Sequence, residues 1–227
     1  MKGLRLWRLI NKNMKVTTIV VTRSGSCHVK TLHTLLRFNI QCLRRAGVQN
    51  EISFVNDDPY EKSNAIEKCI TSSDRIFFID FGIHVDDGSM STIFNPNDNY
   101  NVIIFPAVTE GIDWNMFKEK VKAESTEPTN QMGLNFDTDI TNKVDTDFYN
   151  IKSSSAKSWV MMCKPTLRHI KCRRTGNVKI APKSITMFQK FKESGVKVVA
   201  YTASKLTLTY PHECISNILN SAGIKAN

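Results

Sequence analysis

Apolar and polar positions keep two rhythms along the first eighty residues. Val16–Thr22 (VTTIVVT) is a short β-branched run, the mark of a buried strand. A polar turn, Arg23-Ser24-Gly25-Ser26, separates it from Val29, Leu32, Leu36, Ile40 and Leu43, which recur at helical spacing until Gly47 stops the helix after Ala46. Glu51–Val55 predicts a second strand. Asp58-Pro59-Tyr60-Glu61 opens the next helix, with Asp58 as N-cap, Pro59 in the first turn and Glu61 closing a capping box. Ile66, Cys69 and Ile70 form its inner face, and Arg75–Ile79 (RIFFI) is a third strand ending at Asp80.

This β-α-β-α-β order, with short connections, predicts a parallel sheet with right-handed crossovers. Further along, Asn101–Phe105 reads as a fourth strand, and Asp113 caps a helix on which Trp114, Phe117 and Val121 share a face. Residues 123–157 are polar and lack periodicity, which predicts a long functional loop or lid. Ser158–Met162 is strand-like; Pro182 starts a helix carrying Ile185, Phe188 and Phe191 that ends at Ser194-Gly195. Val196–Tyr201 is another strand, and Pro211–Ala222 a last helix with Gly223 past its end. The expectation is one α/β domain over 14–227, preceded by a basic extension, residues 1–13, with a mostly parallel central sheet flanked by helices.

The chain has 227 residues, 41% hydrophobic and 23% charged, which excludes a disordered or collagen-like chain. No apolar run approaches the roughly 20 residues of a membrane-spanning helix. Leu4–Ile10 is short, broken by Arg5 and Arg8, and lacks a cleavage site, so neither a transmembrane segment nor a secretory signal is expected. Six cysteines (Cys27, Cys42, Cys69, Cys163, Cys172, Cys214) form no CxxC pair, and Cys42 and Cys69 fall on apolar helix faces. That usage predicts reduced thiols and a cytoplasmic protein.

Charge is segregated. Residues 1–50 hold ten Lys and Arg and no acid, 51–150 hold nineteen acids and seven bases, and 151–227 hold fourteen bases and two acids. A nucleic-acid binder usually presents one continuous basic face with aromatic stacking groups, which this pattern disfavours. Basic flanks folded against an acidic middle suit an anionic ligand, and equally a solvated surface.

Ligands of open parallel sheets bind beyond the carboxyl ends of the strands. Three such ends are Thr22-Arg23, Asn56-Asp57-Asp58 and Asp80. Arg23–Ser26 precedes a helix whose free amides would face an anion, although neither a Walker A loop nor a dinucleotide fingerprint is present. Asp80 is either a rigidly held crevice carboxylate or a turn former. Asp57 is the freer of its pair, because Asp58 already caps a helix.

The succession VTTIVVT, helix, ISFVNDD, helix with Lys62 and Ile66, then SSDRIFFIDFGI resembles the nucleotide-binding half of GT-A-type glycosyltransferases over about residues 16–85. The resemblance implies a Rossmann-like GT-A-type domain, with 14–110 as nucleotide-binding half and 111–227 as acceptor half. It implies transfer of a sugar from a nucleotide-diphosphate donor, UDP- or GDP-linked, to a glycan or protein hydroxyl. In that family an apolar strand ends in Asp-x-Asp, which grips a divalent metal. Asp80 would take the first position and Asp57 the nucleoside contact, with Thr22 and Arg23 beside the donor. Mn²⁺ or Mg²⁺ would be held by Asp80 with His212, in the place of the family's C-terminal histidine. The acceptor base would be Asp137 or Asp139, and Lys164, Arg168, Arg173 and Arg174 would neutralise the leaving diphosphate. The Asn-, Ile- and Lys-rich wording is also similar to glycosyltransferase-like proteins of large DNA viruses, which would place the chain in host cytoplasm.

One departure stands out: Gly82 occupies the second Asp position, giving Asp80-Phe81-Gly82. Asp86 and Asp87 follow but suit a cap for a helix near Gly88. A second enzyme class is also resembled. FFIDFG and VKVVAYTAS, ending near Thr202, are similar to two motifs of haloacid-dehalogenase-type phosphatases, which likewise want the Asp that Gly82 replaces.

Overall fold

The β-branched run at the start becomes β1, Met14–Thr22, two residues longer than its apolar core predicts. The computed structural model describes residues 14–95, 99–109, 111–127, 129–203, 207–208 and 222–223. The basic extension 1–13, the predicted last helix Pro211–Ala222, His212 and Cys214 therefore lie outside the described residues, Ala222 excepted.

β1 leads through α1 (Val29–Leu43) to β2 (Val48–Asn56), and α2 (Pro59–Ile70) leads to β3 (Arg75–Ile79). Both connections return the chain parallel to β1, which lies between β2 and β3. Then come β4 (Ile83–His84), α3 (Asp87–Thr92), β5 (Val102–Ile104), α4 (Trp114–Lys122) and a 3₁₀ turn at Thr129–Gln131. The remainder is β6 (Thr138–Asp145), β7 (Phe148–Ser154), β8 (Ser158–Met162), α5 (Cys163–Ile170), α6 (Ser184–Glu193), β9 (Val198–Tyr201) and β10 (Thr207–Leu208).

Eight strands form one sheet in the order β2-β1-β3-β8-β5-β9-β7-β6, and β10 pairs with β4 apart from it. β8 is antiparallel to both neighbours, as is β7, so the other six strands share one direction. Alternation along RIFFI sends Ile76 and Phe78 to one face with α2 and α6, and Phe77 and Ile79 to the other with α1 and α3. Each fully buried aromatic or aliphatic side chain there contributes about 2 kcal/mol of burial. The result is a single Rossmann-like α/β architecture.

Three sequence expectations need correction. Residues 123–157 are not one long loop: about half of them, 138–154, form the β6–β7 hairpin, whose outer strand β6 is almost wholly exposed. With both faces wet, β6 carries no apolar alternation to read. Helix α1 is turned over relative to its apolar stripe. Val29, Leu32, Leu36, Ile40 and Leu43 are exposed, while Thr31, Thr34, Leu35, Phe38 and Cys42 are buried. The inward threonines are satisfied, Thr31 donating to the Ile83 carbonyl (3.2 Å) and Thr34 accepting from the Val85 N–H (3.0 Å). Finally, Asp58 does cap α2, accepting from the Tyr60 and Glu61 N–H groups, but the capping box does not close. The Glu61 carboxylate accepts instead from the backbone N–H and side chain of Asn56.

Candidate functional site

The shared direction of β1, β2 and β3 brings their carboxyl ends to one edge of the sheet. Backbone pairing sets the level, since the Asp57 N–H donates to the Thr22 carbonyl (2.9 Å). Beyond Thr22 the chain makes a tight reversal, with Ser24 and Gly25 at φ of 50° and 71° and Arg23 and Ser26 exchanging N–H···O bonds. Two consecutive positive φ values are the signature of a type I′ turn. It throws the Arg23 side chain across the edge.

There Arg23 Nε donates to Asp57 Oδ2 at 2.7 Å, and its guanidinium lies 4.9 Å from the centre of the Phe81 ring. The other Asp57 oxygen accepts from Lys62 Nζ at 2.5 Å. Lys62, in the second turn of α2, stands also 3.8 Å from Asp80 Oδ2. Asp80 Oδ1 accepts from the Phe81 N–H at 2.8 Å. Thus Arg23, Asp57, Lys62 and Asp80 form a chain of alternating charge along the strand ends.

Burial acts on both carboxylates, and their partners decide the outcome. For Asp57 burial pushes upward, but the hydrogen bonds from Lys62 and Arg23 outweigh it and hold the carboxyl below the usual aspartate range. For Asp80 burial wins and raises the carboxyl, against the pull of Lys62 and the Phe81 N–H. With 19% of its side chain exposed, Asp80 still reaches the surface of the edge.

Thr22 is present at the edge, but its hydroxyl donates to the Val55 carbonyl (3.0 Å). Asp137 is buried. Its Oδ1 accepts from the Ala107 N–H (3.1 Å) and the Thr138 hydroxyl (2.9 Å), and its Oδ2 from the Lys157 N–H (3.2 Å). Burial raises this carboxyl too, against those three donors. Asp139, two residues on, is exposed on β6 and accepts from the Ser153 hydroxyl at 2.6 Å. The Lys157 carbonyl in turn accepts from the Asp80 N–H (2.8 Å), so the backbone of one residue links Asp137 to the strand end.

Sequence reasoning named Arg23, Asp57 and Asp80 but gave Lys62 no role in the site, and it missed Lys157 and Phe81. Lys62 was findable, because it lies five residues after Asp57 and one helical turn inside the Asp58 cap. Lys157 was not, because its place depends on β8 entering the sheet antiparallel beside β3.

Of the two expected metal ligands, Asp80 lies at the strand edge and His212 lies outside the described residues. Among the described residues no group of three or more His, Cys, Asp or Glu side chains converges as metal ligands. Asp80 directs one oxygen to an N–H and the other toward an ammonium, and Gly82 supplies no ligand. Asp86 is committed as the N-cap of α3, bonding the Ser89 N–H and hydroxyl. The phosphatase pattern fails geometrically. β8 and β5 stand between β3 and β9, three strand spacings or about 14 Å, too far for Asp80 and Thr202 to share one phosphate. No helix among the described residues is long and apolar enough to cross a membrane.

No protein-family model matches the chain, and no curated protein matches it. Solved structures are similar at the level of overall shape. One is the crystal structure of GalNAc-T7 with UDP, GalNAc and Mn²⁺, 9% identical with a TM-score of 0.44 over 92% of this chain and 48% of that one. Another is the inositol-1-phosphate CTP transferase from T. maritima, 12% identical with a TM-score of 0.41 over 94% of this chain and 98% of that one. The chain therefore spans about half the length of the first and nearly all of the second. Neither likeness assigns a role to any residue here.

Proposed function

We propose that the protein is a transferase that binds a nucleotide-diphosphate-linked sugar across the carboxyl ends of β1, β2 and β3 and passes the sugar to a hydroxyl acceptor. The observation that carries this reading is the Arg23–Asp57–Lys62–Asp80 array. Two cations are held in place by carboxylates at the crevice where such sheets bind ligands. On arrival of a diphosphate, Arg23 and Lys62 exchange part of their bonding from Asp57 to phosphate oxygens. Asp57 is then free to accept from the nucleoside.

In the transfer step the acceptor oxygen bonds to the anomeric carbon as the bond to the diphosphate breaks. The hydroxyl proton passes to Asp80, whose raised carboxyl is the better base. The diphosphate departs as an anion neutralised by Lys62 and Arg23. Asp137 positions Lys157, and through it Asp80; Asp139 is the exposed carboxylate left to orient the acceptor. No metal is assigned a step, because the Asp80 oxygens face an N–H and an ammonium.

A thermal-shift screen of UDP- and GDP-sugars, with Mn²⁺ and with chelator, tests the reading. At a hundredfold excess over Kd the stabilisation is about 2.7 kcal/mol, a rise of roughly 5–10 °C. The rise is expected in chelator as well as in Mn²⁺, and Asp57→Ala should remove it. Absence of stabilisation by every sugar nucleotide, or an Asp57→Ala variant that responds like the parent, would refute it.

A further inference from the structure

The eight-stranded sheet has two edges, and they are finished differently. At one, β6 pairs with β7 through repeated register shifts and carries Asp139, Lys143 and Asp145. Irregularity and charge of that kind keep an edge from pairing with a further strand. At the other, β2 runs nine residues in unbroken register with β1, without proline or lysine and with Glu51 as its one charge. No strand among the described residues lies beyond it.

The ladder fixes where the β2 backbone groups point. The Asp57 N–H turns inward to the Thr22 carbonyl (2.9 Å), and alternate residues of the strand do likewise. Odd-numbered residues of β2 therefore bond β1, and even-numbered ones face out. Of these, the Val48 N–H reaches the Arg45 carbonyl (3.2 Å) and the Asn56 N–H the Glu61 carboxylate (3.3 Å). Asn50, Ile52 and Phe54 present their N–H and C=O groups along the open edge.

The side chains of these three residues stand on the face that holds α1, since Val48, of the same parity, packs with Phe38 and Cys42 there. Helix α1 packs beside β2, with its stripe of Val29, Leu32, Leu36, Ile40 and Leu43 uncovered. Arg37 and Gln41 turn to Asp87 of α3, which leaves Leu32, Leu36 and Leu43 on the flank nearer β2. With Ile52 and Phe54, the stripe makes seven apolar side chains between 38% and 78% exposed. They present roughly 700 Å² of surface, more than the largest apolar patch of a typical monomer.

We infer that this face pairs with a second copy of the chain about a two-fold axis beside Ile52. Antiparallel β2 strands centred there set Ile52 against its own counterpart and Asn50 against the counterpart of Phe54, each as a hydrogen-bonded pair. Glu51 meets the counterpart of Ser53, so no like charges stand opposite. The axis is perpendicular to the sheet, so both α1 helices come to one face, antiparallel, with Ile52 and Phe54 beneath them. A second copy thus supplies a strand for the edge and an apolar helix for the stripe at once, whereas a lipid surface offers the edge no backbone partner. Roughly 700 Å² from each copy is close to the 800 Å² per partner of a stable interface. The inference does not rest on the transfer reading.

Sedimentation equilibrium of the full chain at micromolar concentrations should give twice the chain mass of 25.8 kDa. Leu36→Glu should weaken association roughly tenfold, and Ile52→Lys, which sets two ammonium groups together at the axis, roughly a hundredfold. Both side chains are exposed in the single chain, so the circular dichroism spectra should match the parent. Ile52→Cys in a Cys172→Ser background reads the register. Its hydrogen-bonded counterpart stands about 5.5 Å away at Cα, within disulfide reach, so mild oxidation should link two chains, and Gln49→Cys, off the axis, should not link.

A parent that stays monomeric overturns the inference, and its flotation with anionic phospholipid vesicles would assign the face to a membrane instead. A dimer indifferent to Ile52→Lys or to Leu36→Glu overturns it by placing the contact elsewhere. So does an Ile52→Cys variant that dimerises without linking.

Discussion

Replacing Lys62 by Met removes one ammonium while keeping its apolar stem, and the geometry sets what this should cost. Lys62 and Asp57 are 18% and 28% exposed at 2.5 Å, so the pair is neither solvated nor fully enclosed. Exposed ion pairs contribute up to about 1 kcal/mol, and removing one partner of a buried pair costs about 3–5 kcal/mol. Asp57 keeps Arg23, while Asp80 loses the Lys62 ammonium at 3.8 Å. A loss of about 2 kcal/mol at neutral pH follows, or roughly 4–8 °C in Tm for a chain of this size.

The pH dependence is the sharper test. Asp57 has its carboxyl lowered in the folded protein, so its contribution is present above the unfolded value near 4 and lost as pH falls through the folded one. Asp80 is raised, so its ionic contact with Lys62 lapses at a higher pH than that of Asp57. The difference between parent and Lys62→Met should therefore shrink stepwise as pH falls from neutral to below 4. Urea unfolding at intervals across that range reads it directly. A difference under 0.5 kcal/mol at neutral pH, or one that stays constant with pH, would refute the pairing described here.

Asp137→Asn sets an amide NH₂ against N–H donors in a buried place and should cost about 1–3 kcal/mol in urea unfolding. Because burial raises the Asp137 carboxyl, the parent should lose stability as pH rises from about 4 through that raised value, and Asp137→Asn should lack that segment of the profile. Gly82→Asp would restore the spelling of a metal motif, but Gly82 has φ of 80°, a left-handed conformation that a side chain strains. It should cost about 1 kcal/mol and gain no Mn²⁺-dependent shift in Tm, since Lys62 still faces Asp80. Thiol labelling of the native protein should lose one fast equivalent in Cys172→Ser. Cys172 is exposed, and hydrogen bonds from Thr175 and Arg174 lower its thiol, whereas burial pushes Cys42 and Cys163 up to about 12 and should leave both inert until unfolding.

What the sequence revealed follows from how local each signal is. RIFFI and SWVMM match β3 and β8 residue for residue, because a strand buried on both faces is a continuous apolar run. Asp58, Asp86 and Asp113 all cap the helices they were expected to cap, since capping is settled within three or four residues. Helix α1 was placed correctly but not oriented. Its face depends on two threonines finding partners some fifty residues away, at Ile83 and Val85. The β6–β7 hairpin was illegible for want of a buried face. At the site, Asp57 and Asp80 could be read from strand ends, whereas the enclosure of Asp137 arises from Ala107 and Lys157, contacts no window of sequence contains.

Lys157 carries the last consequence. Its N–H serves the Asp137 carboxylate and its carbonyl serves the Asp80 N–H, so two consecutive stiff peptide planes, meeting at the Lys157 α-carbon, each carry one attachment. A change of φ or ψ at that one residue swings one attachment against the other. The outlying hairpin and the carboxylate at the strand mouth are thus geared to each other, and whatever presses on one is felt at the other.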